Sequence, residues 1–304
     1  MDYTKILNKI NKEVKPYFGK GKVASYIPAL SRINPNKFGI SIQCIDGKEY
    51  HLGDSYEPFS IQSISKVFTL ADVFYQIGSK LWTRVGREPS SNQFNSLIEL
   101  EIDNGIPRNP FINAGALVIT DMICEQQVGP KLHILNYIRK LCNNPNIEYN
   151  EEVAESEAQN GFRNAALANF LKSCDNLKQP IEQVLDTYFK QCSIEMSCAD
   201  LSHACLFLAN NGKTLNNTRE ILSFRQTKKV NSLMMICGLY NEVGNFAWRV
   251  GLPGKSGVGG GIVAVVPGKL VITVWAPELN QNGNSFVGIK ALELFTTLTK
   301  RSIF

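Results

Sequence analysis

Ser63 and Lys66 form the only Ser-x-x-Lys in the chain, inside the run FSIQSISKVF (59–68). At this spacing, near the start of a predicted helix, the two side chains share one face and the amine can reach the hydroxyl. A serine is a poor nucleophile until a base takes its proton. A lysine serves as that base only where burial or a nearby cation lowers its pKa from about 10.4. The helix N-terminus also favours negative charge developing near Ser63. One such match is expected by chance in a chain of this size, at roughly average Ser and Lys usage. Lys255-Ser256-Gly257, far along the chain, adds a second half in the order that Ser-Lys acyl-transfer sites use.

Other chemistries find no footing. Gly-Lys-Ser at 254–256 ends like a phosphate-binding loop, but the glycine that motif needs is Arg249. A dinucleotide fingerprint through Gly257 and Gly259 would need glycine where Ile262 stands. His51, His133 and His203 lie neither four residues apart nor beside a cysteine pair, so no metal site is expected. The eight cysteines run from Cys44 to Cys237 without a C-x-x-C and read as buried free thiols. The net charge of +5 is scattered, which argues against nucleic acid as a partner. No run of 18 apolar residues and no leader-like apolar core is present, so no membrane association is expected and the protein is placed in the cytoplasm.

The elements that must carry these residues follow from periodicity. Residues 3–14 form a predicted amphipathic helix with Ile6, Leu7 and Ile10 on one side, expected at the periphery. FGISIQCIDGKEYHLGD (38–54) alternates apolar and polar residues about Asp46-Gly47, a hairpin signal. From Ser60 to about Ile236 helical patterns dominate, among them 63–78, 113–126, 164–174, 180–192 and 199–212. Strand character returns in FAWRVGL (246–252), GIVAVVP (261–267) and KLVITVWAP (269–277), with Pro267-Gly268 turning between the last two, before a closing helix over 285–300. The predicted fold is α+β: an antiparallel sheet flanked by terminal helices, with an inserted helical lobe. One domain spans 1–304, with a sheet lobe at about 21–59 plus 240–304 and a helical lobe at about 60–239. The cleft between the lobes is the expected site.

Ser63 to Lys66 and Lys255 to Gly257 resemble the serine-dependent β-lactamase and penicillin-binding superfamily. Longer blocks are more specific: GKVASYIPAL (21–30), FSIQSISKVF (59–68), NPFINAGAL (109–117), SEAQNGFRNAALA (156–168), YFKQCSIEMSCADL (188–201) and GLPGKSGVGGGIVAVVPGKL (251–270). In order, they look like the bacterial-type glutaminase family. That resemblance implies a β-lactamase-like fold and hydrolysis of L-glutamine to L-glutamate and ammonia, with no cofactor. It makes Ser63 the acyl-forming nucleophile and Lys66 its base or part of its proton relay. It makes the backbone N–H groups of Ser63 and Val258 the donors to the developing oxyanion. Glu157 matches the glutamate that meets the substrate ammonium, and Asn113, Asn164 and Tyr188 match its polar contacts. Tyr26 and Tyr240 match tyrosines of the family site, where a phenol can bind the carboxylate or pass a proton. Which of Lys66, Tyr26 and Tyr240 is the base, and what Lys255 does, stay open. A homo-oligomer, tetramer or dimer, is implied as well.

Outside those blocks each residue has a plainer reading: Glu157 a solvated helix charge, Tyr188, Tyr26 and Tyr240 packing residues, Asn113 a helix cap. The chain departs from the family at Ser25, where Asp is common, and lacks the Ser-Asp-Asn tripeptide of β-lactamases. The alternatives to a glutaminase are a penicillin-recognising Ser-Lys hydrolase and a non-catalytic glutamine-binding protein.

Overall fold

The computed structural model describes residues 1–90, 95–215 and 218–304. Five strands, β1 (Gly39–Cys44), β2 (Glu49–Gly53), β5 (Gly254–Ser256), β6 (Gly261–Val266) and β7 (Leu270–Trp275), form one antiparallel sheet in the order β2-β1-β7-β6-β5. A two-stranded ladder, β3 (Phe59–Ser60) with β4 (Glu195–Met196), stands apart from it. The hairpin predicted at Asp46-Gly47 joins β1 to β2, with Gly47 at φ +87°. The α+β, β-lactamase-like arrangement expected from the sequence is what forms.

The alternation read in 38–54 has a different meaning from the usual core-and-water one. All six residues of β1, β6 and β7 are buried, because both faces of the sheet are covered. In register, Ile40, Val274 and Ile262 join one apolar cluster with Ile42, Ile272 and Ala264, while Val263, Val265, Val271 and Trp275 join another with the helical lobe. Beneath the helices Ser202 Oγ donates to the Ser41 carbonyl at 3.2 Å and to Thr273 Oγ1 at 2.9 Å, while the Ser41 hydroxyl is buried with no hydrogen-bond partner among the described residues.

Helix α1 (Tyr3–Val14) packs on the outer face against the closing helix, α13 (Phe286–Thr299). The spacing of Tyr3, Leu7, Ile10 and Val14 puts them on one buried stripe, so this peripheral amphipathic helix is fastened to the core along one face. At about 1.5–3 kcal/mol for each fully buried large apolar side chain, that stripe contributes substantially to the sheet's stability. The other helices are α2 (Ser65–Ile77), α3 (Ile98–Ile102), α4 (Asn113–Gln126), α5 (Pro130–Cys142), α6 (Glu151–Asn160), α7 (Phe162–Ser173), α8 (Ile181–Cys192), α9 (Cys198–Ala204), α10 (Leu206–Ala209), α11 (Phe224–Cys237) and α12 (Val243–Arg249).

Two expectations are corrected. FAWRVGL is not a strand: most of it belongs to α12, in which Phe246 and, just beyond the helix, Val250 are buried four residues apart, while Trp248 is 86% exposed. The aromatic and branched residues that suggested β structure serve a helix laid on the core. All eight cysteines are free, but Cys174 is exposed rather than buried. Among the described residues no helix is long and apolar enough to cross a membrane.

Candidate active site

The nucleophile candidate sits on a short turn clamped from two sides. Before it, β3 pairs with β4, and Ile61 N donates to Ile194 O at 2.9 Å. Gln62 takes φ +49°, and Gln62–Ile64 form a 3-10 turn that runs directly into α2. Behind it, the glycine-rich loop between β5 and β6 presses on the same backbone. A Cβ at Gly257 would lie 2.5 Å from Ile61 O, and one at Gly259 would lie 2.1 Å from Ser60 O. Only glycine permits this approach. Trp275, stacked on Phe59 at 4.8 Å, fixes the loop by donating from Nε1 to Gly259 O at 3.0 Å. Val258 is thereby brought to the wall of the cavity that Ser63 lines.

Lys66, in the first turn of α2, is 1% exposed and donates to Phe111 O at 3.1 Å and Asn113 Oδ1 at 2.8 Å. Burial lowers its pKa to about 8, against weaker opposing effects of Cys192 and Glu157. Asn113 opens α4 but caps nothing with its side chain: it passes the contact on, Nδ2 donating to Asn164 Oδ1 at 2.9 Å. The acceptor for the N–H groups at that helix start is Asn109. Lys255, on edge strand β5, is fully buried and donates to Tyr240 OH at 3.2 Å and Ser256 O at 2.6 Å. Burial holds its pKa well below the usual lysine value, and the charge of Lys66 pushes the same way. The Tyr240 hydroxyl also hydrogen-bonds Ser63, and burial raises the phenol well above its ordinary value despite that bond.

A cavity of about 320 Å³ opens above these groups, lined by Ser63, Asn113, Glu157, Asn164, Tyr188, Tyr240, Val258 and Tyr26. Every residue picked from the sequence as a substrate contact is therefore in one place, with Lys66 beneath them bonded to Asn113. Tyr26 differs from the others in being 55% exposed. Glu157 is buried on α6, and burial raises its carboxyl pKa to about 7, while a hydrogen bond from Gln62 and the charge of Lys66 pull it down. Tyr188 is buried on α8, where burial and then Cys192 and Glu157 raise its phenol.

Sequence reasoning missed Gln62, whose amide donates to Ser60 Oγ at 3.0 Å and also meets Glu157. Its only signal was its place beside the serine in a matched block. Asn160, Arg163 and Cys192 also line the cavity, and they too had no signal beyond lying in matched blocks.

The arrangement offers a hydroxyl, buried amines and a carboxyl around one cavity, fit for acyl transfer on a small molecule carrying a cation. A family model described as glutaminase matches residues 21–304. The chain is 52% identical to a glutaminase of Christiangramia forsetii over 304 residues, covering 100% of both. It is 49% identical to one of Ralstonia nicotianae over the same length, again covering 100% of both. Among solved structures, a probable glutaminase, ybaS, aligns with TM-score 0.92 at 33% identity, over 99% of this chain and 98% of that one. A probable glutaminase from Bacillus subtilis complexed with 6-diazo-5-oxo-L-norleucine aligns with TM-score 0.87 at 32% identity, over 97% and 94%. With this agreement in sequence and fold along its whole length, the chain belongs to the glutaminase family.

Proposed function

We propose that the chain hydrolyses L-glutamine to L-glutamate and ammonia through an acyl-enzyme on Ser63. The observation that carries this reading is the pairing, across one cavity, of Ser63 among buried Lys66, Lys255 and Tyr240 with the carboxyl of Glu157. Glu157 takes the substrate ammonium; Asn113, Asn164, Tyr188 and Tyr26 hold the remaining polar groups. Ser63 Oγ attacks the side-chain carboxamide carbon, and the oxygen that turns negative meets the N–H groups of Ser63 and Val258. The serine proton goes to the amine of Lys66. Tyr240, bonded to Ser63, gives its proton to the departing nitrogen, which leaves as ammonia, and takes back the proton held by Lys66. Water then attacks the ester, adding OH to the acyl carbon and returning the proton to Ser63. The raised phenol suits a relay that gives one proton as it takes another, rather than a standing phenolate.

Residues 1–304 act in this reading as one unit. The helical lobe supplies Ser63, Asn113, Glu157, Asn164 and Tyr188, and the sheet lobe supplies Tyr26, Tyr240 and Val258. A cytoplasmic place and a dimer or tetramer complete the proposal, on the strength of the family alone.

The test is ammonia release from L-glutamine by the native protein and by Ser63→Ala, with peptide mapping after 6-diazo-5-oxo-L-norleucine. Native turnover, a loss of about 10³-fold or more in the variant and label on the Ser63 peptide are expected. Equal turnover by Ser63→Ala would remove the nucleophile.

A further inference from the structure

Tyr240 reaches Ser63 and Lys255 only because its backbone holds a conformation that side-chain-bearing residues avoid, φ +55°. It opens a 3-10 turn, Tyr240–Glu242, that follows α11 and precedes α12. A second group must therefore hold that turn. Glu242, two residues on, is 7% exposed, and among the described residues every hydrogen bond its carboxylate receives comes from an uncharged amide. Asn280 Nδ2 donates to Oε1 at 3.0 Å and to Oε2 at 2.8 Å, Asn284 Nδ2 to Oε2 at 2.7 Å, and Asn245 Nδ2 to Oε1 at 3.3 Å. Asn284, fully buried, also donates to Leu239 O at 3.5 Å, and so grips the residue before Tyr240 and the carboxylate after it. The next residue, Ser285, caps α13 and donates to Ala276 O at 2.6 Å, which ties this clamp to the end of β7. A buried carboxylate solvated by amides alone is costly, and nothing in the glutamine cavity uses it.

We infer that Glu242 is a positioning residue, clamped by Asn280 and Asn284 so that the turn aims the Tyr240 hydroxyl at Ser63. The inference rests on the relay role proposed for Tyr240. Loss of the Glu242 charge frees the turn to relax out of its strained conformation and withdraws the phenol from the serine, while the turn's outer residues and the substrate-binding wall from α6 to α8 stay in place. Glu242 then matters to turnover only through Tyr240, which a double-mutant cycle can read.

The experiment measures kcat for L-glutamine in Glu242→Gln, Tyr240→Phe and the double variant, with Asn280→Ala as a second lesion at a half-buried position that removes two of the donors. Expected is a fall of about 10-fold or more for Glu242→Gln alone, and less than about 2-fold when it is added to Tyr240→Phe. Asn280→Ala should behave the same way with a smaller loss, and carries the test if Glu242→Gln does not fold. Equal losses in both backgrounds would make Glu242 a general stability residue and overturn the inference, leaving the role of Tyr240 standing. Native kcat in Tyr240→Phe would instead remove the relay role, and the inference with it.

Discussion

At the scale of single residues, the site is built from groups held away from their ordinary states. Among the described residues outside glycine, positive φ falls mostly on Asn and Asp, which tolerate it; Gln62, Tyr240 and Lys300 are the others, and the first two flank Ser63. Each such residue costs about 1–3 kcal/mol, which the surrounding hydrogen bonds must offset. The two perturbed groups, close enough for the charge of each to act on the other, still titrate in different ranges. Glu157 is neutral below about 7 and a carboxylate above it, so KM for glutamine should fall as pH rises from 6 to 8. Lys66 is cationic below about 8 and a free amine above it, so kcat should rise through that value. Steady-state profiles check both: Glu157→Gln should flatten the KM profile and raise KM about 10- to 100-fold, the worth of one charge-assisted hydrogen bond. A flat kcat from pH 6 to 9 would count against a lysine base. Ser63 and Lys66 stood out by their spacing, which chance would also supply about once in such a chain; Lys255-Ser256-Gly257 and the matched blocks made them a candidate site. Glu157 and Tyr188 did not stand out, since a glutamate or tyrosine on a helix looks alike whether it faces core, water or ligand. They were reached only through the length of the matched blocks. Gln62 was passed over because its role depends on a backbone torsion that no residue type announces.

At the scale of elements, the feature that makes the serine reachable is the contact between two turns, the one at 61–64 and the glycine-rich loop after β5. Gly257→Ala or Gly259→Ala would drive a Cβ into a carbonyl oxygen that cannot move without shifting Ser63. Either should lower kcat by about 10²-fold or more, as a displacement of roughly 1 Å at reacting atoms does. Circular dichroism and glutamine turnover on the same samples would check it; native kcat in a folded variant would mean that the loop is not what seats the nucleophile. A run of glycines does not name the backbone it will meet, here that of Ser60 and Ile61. The hairpin at Asp46-Gly47 and the closing helix were plain, since turn chemistry and long periodic runs are local. Over 246–252 the local signal misled: Phe246 and Val250 carry a strand's residue types at a helix's spacing, and the tertiary position settled which counted.

At the scale of the whole molecule, one sheet buried on both faces separates stability from chemistry. The outer layer of α1 and α13 contributes no residue to the cavity. Leu7→Ala, on the stripe that seats α1, should cost about 2–5 kcal/mol in urea unfolding while leaving kcat at 25 °C within about 2-fold of native. A large fall in kcat with unchanged stability would show that the layers are coupled. The same sheet joins chain segments that are made far apart in time: Gly39 lies beside Trp275, and Cys44 beside Leu270. During synthesis β1 must therefore wait for its sheet partner β7 until the last tenth or so of the chain emerges, a span on the order of ten seconds or more at cellular elongation rates. The turn that carries Ser63 waits too, for the glycine-rich loop that packs on its backbone. A nascent chain that ends before that loop lacks the Val258 wall of the cavity, and its vulnerable interval ends only when the final strand docks.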